Sequence, residues 1–307
     1  MGSKICVPGS SIDLATSDER FSGTTIPVFC YFQRMVKLDR MLPRPGCNLR
    51  FSDTEGEGHA VVFSHGAGVD HAMFDEQARA AQAAGFRVIY GDLRGHGASV
   101  LDDGIRFRAA DVIDDLVSLV RHLGLERPTL IGHSLGGNLS QTVVKRHPDL
   151  AGGLVVIDST WNAGSLTTME RFGLRLAAPL LALVPSGRLP DFMAKASATT
   201  PAGISYARER FARMPKQVFL DVWRATLSLV DPDPDARTPV PLTLIRGAED
   251  RTGNIRTAMP QWAQAEGITE HVIPAAGHIS TLDAPEAVTA VILETLAVQN
   301  RSKEHGR

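Results

Sequence analysis

Ser134 lies in the run Gly132-His133-Ser134-Leu135-Gly136, with Gly137 directly after it. A serine hydroxyl is a poor nucleophile near neutral pH. It needs a base within hydrogen-bond reach, and that base is in turn oriented by a carboxylate. The spacing around Ser134 points to the way it would be presented. A chain that leaves a strand and enters a helix within two or three residues forces the middle residue into left-handed backbone geometry, so its neighbours on both sides must be small. Gly-x-Ser-x-Gly is that nucleophile elbow. The turn lifts the serine oxygen clear of the backbone and aims the first N–H groups of the following helix at whatever the serine attacks, where an oxyanion would be stabilised. An acid and a histidine should then follow at later strand ends. After PLTLIRG the loop AEDRTGN holds Glu249 and Asp250, and after EHVIPAAG comes His278, in the order this arrangement requires.

The elements that must position these residues follow one rhythm. Short apolar runs, rich in β-branched residues, end in small or polar ones: HAVVFSHG (59–66), FRVIYGDLRG (86–95), PTLIGHS (128–134), GLVVIDS (153–159), PLTLIRG (241–247) and EHVIPAAGH (270–278). Runs this apolar suit strands buried on both faces of a parallel sheet. Between them, AMFDEQARAAQAAG and ADVIDDLVSLVRHLG repeat apolar residues every three or four positions and stop at Gly85 and Gly124, which predicts helices. The alternation predicts an α/β fold with ligands at the carboxyl ends of the strands. From Thr160 to Arg237 no such strand run occurs, while helical spacing recurs in TTMERFGLRLAAPLLALV, AGISYARERFARM and KQVFLDVWRATLSLV. This predicts a helical lobe inserted over residues 160–238, above Ser134, closed by the proline-rich DPDPDARTPVP. The core then comprises 46–159 and 239–298, with a tail at 299–307. Residues 1–45 form an N-terminal extension, its first twenty residues expected to be disordered, with an edge strand around Met35 to Arg40.

The 307 residues are 43% hydrophobic and 21% charged with a formal net charge of -2, an ordinary composition for a soluble globular chain long enough to bury a core. Without a basic excess, no nucleic-acid partner is expected. Cys6, Cys30 and Cys47 are odd in number and imply no disulfide framework, so a cytoplasmic location is expected. MGSKICVPGSS lacks the pattern of a signal peptide, and IPVFCYF (26–32) is too short for one. Gly2 and Cys6 do not complete an acylation signal, because the hydroxyl residue is missing at position six. The longest apolar run, LAAPLLALVP (176–185), is far short of the roughly 20 residues of a membrane span. It reads as a buried or pocket-facing helix, and no membrane partner is expected. No histidine or cysteine spacing suits a metal, there is no phosphate-cradling loop, and no cofactor is expected.

SHGAG (64–68), GDLRGHGAS (91–99), GHSLGG (132–137), RGAEDR (246–251) and AAGHISTLDAPE (275–286) occur in one order, and with them the chain resembles an α/β-hydrolase from about residue 47 to 297. The resemblance implies a mostly parallel sheet flanked by helices, with an inserted helical cap. It implies Ser134 as nucleophile, Asp250 as acid and His278 as base, with the backbone N–H groups of Ala67 and Leu135 forming an oxyanion hole. Some members carry the acid at the strand end occupied here by Asp158; Glu249 reads as solvent-facing. His133 is expected to pack or to line the pocket, and His65 and His96 to stabilise loops. Asp92 and Arg94 are expected to hold their loop by a charge-assisted hydrogen bond. His59, His71, His122, His147, His271 and His305 show no partner spacing and read as surface or structural.

Relatives that attack carbon with an aspartate at the elbow, the haloalkane dehalogenases and epoxide hydrolases, are set aside by Ser134, and acyl chemistry remains. The lobe's apolar residues suit an uncharged site, with His133, Trp161, Phe172, Leu176 and Trp223 expected to contact a small-molecule substrate. GHSLGG together with GHISTLDAPE matches the esterase, lactonase and cofactor-free haloperoxidase-like branch best. The expectation is hydrolysis of an ester or lactone through an acyl-enzyme. One alternative is carbon–carbon bond hydrolysis of ring-cleavage products. Those relatives show GNS at the elbow and an aromatic after the histidine, where this chain has His133 and Ile279, and Arg171, Arg175 or Arg188 would have to hold a substrate carboxylate. The other is a ligand receptor of slow turnover. Oligomeric state is not fixed by the sequence.

Overall fold

The computed structural model describes residues 37–233 and 235–305. The most apolar runs make the centre of the sheet. Ala60–Ser64 (β3), Thr129–His133 (β5) and Gly153–Ile157 (β6) are buried at every position. Arg40–Arg44 (β1), Cys47–Asp53 (β2), Arg87–Gly91 (β4), Leu242–Gly247 (β7) and His271–Ile273 (β8) complete an eight-stranded sheet of order β1-β2-β4-β3-β5-β6-β7-β8 among the described residues. β3 to β8 pair parallel, while β1 and β2 run antiparallel at one edge.

The edge strand therefore begins at Arg40 rather than Met35, and the sheet starts within the stretch assigned to an N-terminal extension. Gly2, Cys6, Cys30, the first twenty residues, IPVFCYF and Met35 lie outside the described residues. β2 has no counterpart among the expected strands. Its Cys47, Leu49, Phe51 and Asp53 are buried while the residues between them are not, the alternation of a strand covered on one face only.

Helices cover both faces, and the period of two along the strands sorts their partners. Asp75–Ala83 (α1) lies across the sheet from Ala109–His122 (α2), Leu135–Arg146 (α3) and Ile255–Glu266 (α8), which Leu130, Leu154 and Val156 meet through Leu116, Leu139 and Met259. Ile131, Val155 and Ile157 face the other way, toward Ala78 of α1 and Val288, Ile292 and Leu296 of Pro285–His305 (α10). α10 also takes in most of the expected C-terminal tail, so 299–305 continue a helix. Between β6 and β7 stand Thr168–Leu183 (α4), Leu189–Ser197 (α5), Pro201–Arg213 (α6) and Lys216–Ser228 (α7); a short helix, Ser280–Asp283 (α9), follows β8. Thr167 caps α4 in a capping box with Glu170. LAAPLLALVP is pocket-facing rather than buried: within α4 only Ala178 is buried and Leu176, Leu180 and Leu183 are exposed, while Ala177, Leu180 and Leu181 line a cavity.

The loop GDLRGHGAS is held by two separate ion pairs, and Asp92 and Arg94 do not pair with each other. Asp92 Oδ1 accepts from His71 Nδ1 at 2.7 Å and from its backbone N at 2.9 Å, and Oδ2 accepts from Ala98 N at 2.7 Å. His71 is thus buried against a carboxylate. Burial opposes its charge, but the Asp92 hydrogen bond and charge outweigh that and hold it above the ordinary histidine range. Arg94 is buried and donates to both oxygens of Asp115 on α2, Nη2 to Oδ1 at 2.7 Å. Removing one partner of a buried pair strands the other charge. Asp115→Ala is expected to lower unfolding free energy by about 3 kcal/mol, the low end for a broken buried pair, since Asp111 stays 3.3 Å from Arg94. Urea denaturation measures it.

Candidate active site

Ser134 joins β5 to α3 with φ +51° and ψ -115°, a left-handed conformation for a residue with a side chain. Such geometry costs about 1–3 kcal/mol and persists only where the surroundings enforce it. Here a Cβ on Gly132 would sit 2.2 Å from Gly136 O, and one on Gly136 would sit 1.9 Å from Ser64 O. Only glycine lets β5, α3 and the end of β3 cross this closely. Ser134 N donates to Ile157 O at 3.0 Å, and Ser159 Oγ donates to Ser134 O at 2.9 Å, so β6 clamps the turn.

Three side chains from separate strand ends meet at this turn. His278 Nε2 lies 3.0 Å from Ser134 Oγ, and His278 Nδ1 lies 2.9 Å from Asp250 Oδ2. Asp250 is buried, and its Oδ1 accepts from Thr252 N at 2.8 Å. Burial alone would raise its pKa, but the His278 charge and hydrogen bond hold the carboxyl below the usual range. Burial likewise opposes charge on His278, and the Asp250 carboxylate overrides it, so the imidazole is held above its ordinary value. With Nδ1–H donated to Asp250, Nε2 is the nitrogen free to take a proton from Ser134.

Asp158, the alternative acid, does not reach the imidazole nitrogen. It is wholly buried with φ +45°, its Oδ1 accepts from Gly247 N at 2.7 Å, and its Oδ2 accepts from Ser280 N at 3.3 Å and from the Ser280 hydroxyl. It thereby ties the loop that carries Asp250 to the loop that carries His278. Burial and the nearby Asp250 charge push its carboxyl up to about 7.

His133 lies beneath the site, not on it. It is buried, its Nε2 is 2.6 Å from the His278 carbonyl, and burial drives it down to about 3, so it is a neutral donor bracing the histidine loop. His65 Nδ1 donates to Gly66 O at 2.8 Å, and Leu93 N donates to His65 Nε2 at 2.9 Å. Anchoring the Gly66 carbonyl fixes the Ala67 N–H, which points the opposite way across the planar peptide. Leu135 is the first residue of α3, so its N–H has no acceptor within the helix.

A cavity of about 730 Å³ opens on Ser134, Ala67 and His278. Trp223, Leu181, Met193 and Phe211 give it apolar walls; Lys195 and Arg251 give it charges that sequence reading passed over, and Glu249, expected to face solvent, is exposed and also lines it. The signal was the position of Glu249 and Arg251 on either side of Asp250. Of the other expected contacts, Trp161 does not line this cavity. It stacks on Trp262, ring centroids 6.2 Å apart and 4° from parallel, beside a second cavity. Phe172 and Leu176 point outward from α4. Among the described residues, no three His, Cys, Asp or Glu side chains are grouped to hold a metal, and no helix is long and apolar enough to cross a membrane.

The family profile described as "Alpha/beta hydrolase family" matches residues 61–291. A relative in Caulobacter sp. (strain K31), provisionally named a carbamate hydrolase, is 28% identical over 245 residues, 77% of this chain and 90% of its own. A thermophilic esterase from Thermogutta terrifontis superposes with a TM-score of 0.69 at 27% identity, covering 84% of this chain and 97% of that one. An enol-lactonase from Burkholderia xenovorans LB400 also superposes with a TM-score of 0.69, covering 84% and 100%, but at 21% identity the likeness is one of fold alone.

The carboxylate's hold on the imidazole has a measurable sign. In Asp250→Asn the charge that raises His278 is gone while burial remains, so the His278 ring resonance should titrate at lower pH than in the wild type. An NMR titration of the imidazole that left the midpoint unmoved would mean Asp250 is not its electrostatic partner.

Proposed function

The chain belongs to the alpha/beta hydrolase family, and from that premise we propose that it is a serine hydrolase cleaving an ester or lactone of a small, largely apolar substrate through an acyl-enzyme on Ser134. The observation that carries this reading is the unbroken hydrogen-bonded line Asp250–His278–Ser134 opening onto an apolar-walled cavity. In this reading the four helices α4 to α7 act as a cap over the cavity.

The Ser134 oxygen attacks the substrate carbonyl carbon while His278 Nε2 takes its proton. The carbonyl oxygen becomes an oxyanion facing the N–H groups of Leu135 and Ala67, each such donor contributing about 10²–10³-fold. The imidazolium, stabilised by Asp250, gives its proton to the departing alkoxide. Water then repeats the sequence with His278 as base, releasing the acid and restoring Ser134. In a lactone the alcohol stays joined to the acyl group, and one hydroxy acid leaves.

A substrate that also carries a carboxylate is a second reading, favoured by Lys195 and Arg251 on the cavity wall. Arg171, Arg175 and Arg188 do not line that wall. The esterase likeness supports ester cleavage, and the relative named for carbamates acts by its name on a neighbouring acyl bond.

Hydrolysis of p-nitrophenyl esters and lactones by wild type, Ser134→Ala and Asp250→Asn tests this. Wild type should turn over many times and take a fluorophosphonate label. Ser134→Ala should lose label and about 10⁶-fold in kcat, and Asp250→Asn about 10⁴-fold. Labelling of the wild type with near-single turnover would favour a slow receptor instead.

A further inference from the structure

The outward face of α4 is apolar where a surface helix is ordinarily polar. Met169, Phe172, Leu176, Leu180 and Leu183 recur at intervals of three and four, so they form one stripe along the helix. Met169 is 80% exposed, Phe172 61% and Leu183 79%. Phe192 of α5 is exposed beside them. The stripe runs into the active-site cavity, because Leu180 and Phe192 belong to both the exposed patch and the cavity wall. An apolar path thus leads from solvent to Ser134.

The charges beside the stripe are mostly positive. Arg171, Arg175 and Arg188 are exposed, and none pairs with a carboxylate among the described residues. The carboxylates on these two helices are already engaged. Glu170 closes the capping box with Thr167, and Asp191 pairs with Lys195 and Arg208. The balance over the two helices and the turn between them is positive, Arg171, Arg175, Arg188 and Lys195 against Glu170 and Asp191.

We propose that this face of α4, with Phe192, docks on the surface of an anionic phospholipid membrane, from which an apolar ester passes directly into the cavity. The delivery step rests on the ester reading above; the docking does not. A helix lying in the interface needs an apolar face sunk among acyl chains and cations reaching back to the head groups, and α4 offers both. A second copy of the chain fits less well. A twofold axis at the middle of the stripe, near Leu176, would set Arg175 against its own copy, and the pair would cover Leu180 and Phe192 at the cavity mouth.

The test is co-sedimentation of the full chain with vesicles of phosphatidylcholine alone and of phosphatidylcholine mixed with phosphatidylglycerol, with hydrolysis of soluble p-nitrophenyl acetate followed in parallel. The wild type should partition onto the anionic vesicles and be released by salt. Phe172→Ser with Leu183→Ser should abolish partitioning. Replacing Arg171, Arg175 and Arg188 by Gln should weaken it by about fivefold per arginine. Soluble-ester turnover should stay at the wild-type rate in both variants, since none of these residues reaches the site. No partitioning, or partitioning that the variants leave unchanged, overturns the proposal. So does a dimer by light scattering that Phe172→Ser with Leu183→Ser turns into monomer, which gives the face to a second copy. A protein that binds vesicles but hydrolyses no ester keeps the docking surface and removes the ester reading.

Discussion

The crossing of β3, β5 and α3 at the elbow constrains everything around it. Three backbone segments approach so closely that a methyl group on Gly132 or Gly136 would overlap a carbonyl oxygen. Gly137 adds a third close approach, where a Cβ would lie 2.6 Å from that of Ser159. This crowding holds Ser134 in its unfavourable conformation and leaves its oxygen no place but the carboxyl end of the sheet. β5 must be central for this to work, because only there do neighbours on both sides, β3 and β6, close on the turn. The partners of Ser134 arrive from β7 and β8, so the sheet order sets which loops can complete the site.

Burial makes the site electrostatically exacting. His65, His96 and His133 are all buried near it, and burial drives each below the ordinary range, leaving them neutral. They act through hydrogen bonds to backbone: His65 to Gly66, His96 to Arg94, His133 to His278. His278 differs by one feature, a carboxylate on Nδ1, and that alone turns a buried histidine into one that can hold a proton. A histidine in this fold takes its role from what faces its second nitrogen.

How far the sequence was legible follows from which contacts are local. The central parallel strands could be read because burial on both faces leaves a continuous apolar run, and Ser134, Asp250 and His278 because each follows an apolar run in the sequence. β2 was illegible by the same test, since every second residue of it is polar and not fully buried. The wall of the cavity was harder, because α4 is apolar on two faces: Leu181 looks inward and Leu183 outward, and helical period alone does not say which is which. Trp161 reads as a pocket residue by type, yet its partner Trp262 is a hundred positions away. Asp92 and Arg94 are two residues apart in a strand-end loop, which invites pairing, but they diverge to His71 and Asp115, neither of which spacing could reveal.

The pair of acids beside His278 explains why the site tolerates two carboxyl groups in one buried place. Both oxygens of Asp158 are taken by Gly247 and Ser280, so it braces the two loops and leaves the imidazole to Asp250. Two like charges this close cannot both ionise easily, and their environments push them apart, Asp250 down and Asp158 up to about 7. In the resting site the burden of negative charge falls on Asp250, where it matches the single positive charge that His278 gains when it takes the serine proton. The donors from Gly247 and Ser280 and the nearby His278 favour an ionised Asp158, but burial and the Asp250 charge outweigh them, so the same carboxyl that braces the two loops leaves the firm negative charge to Asp250.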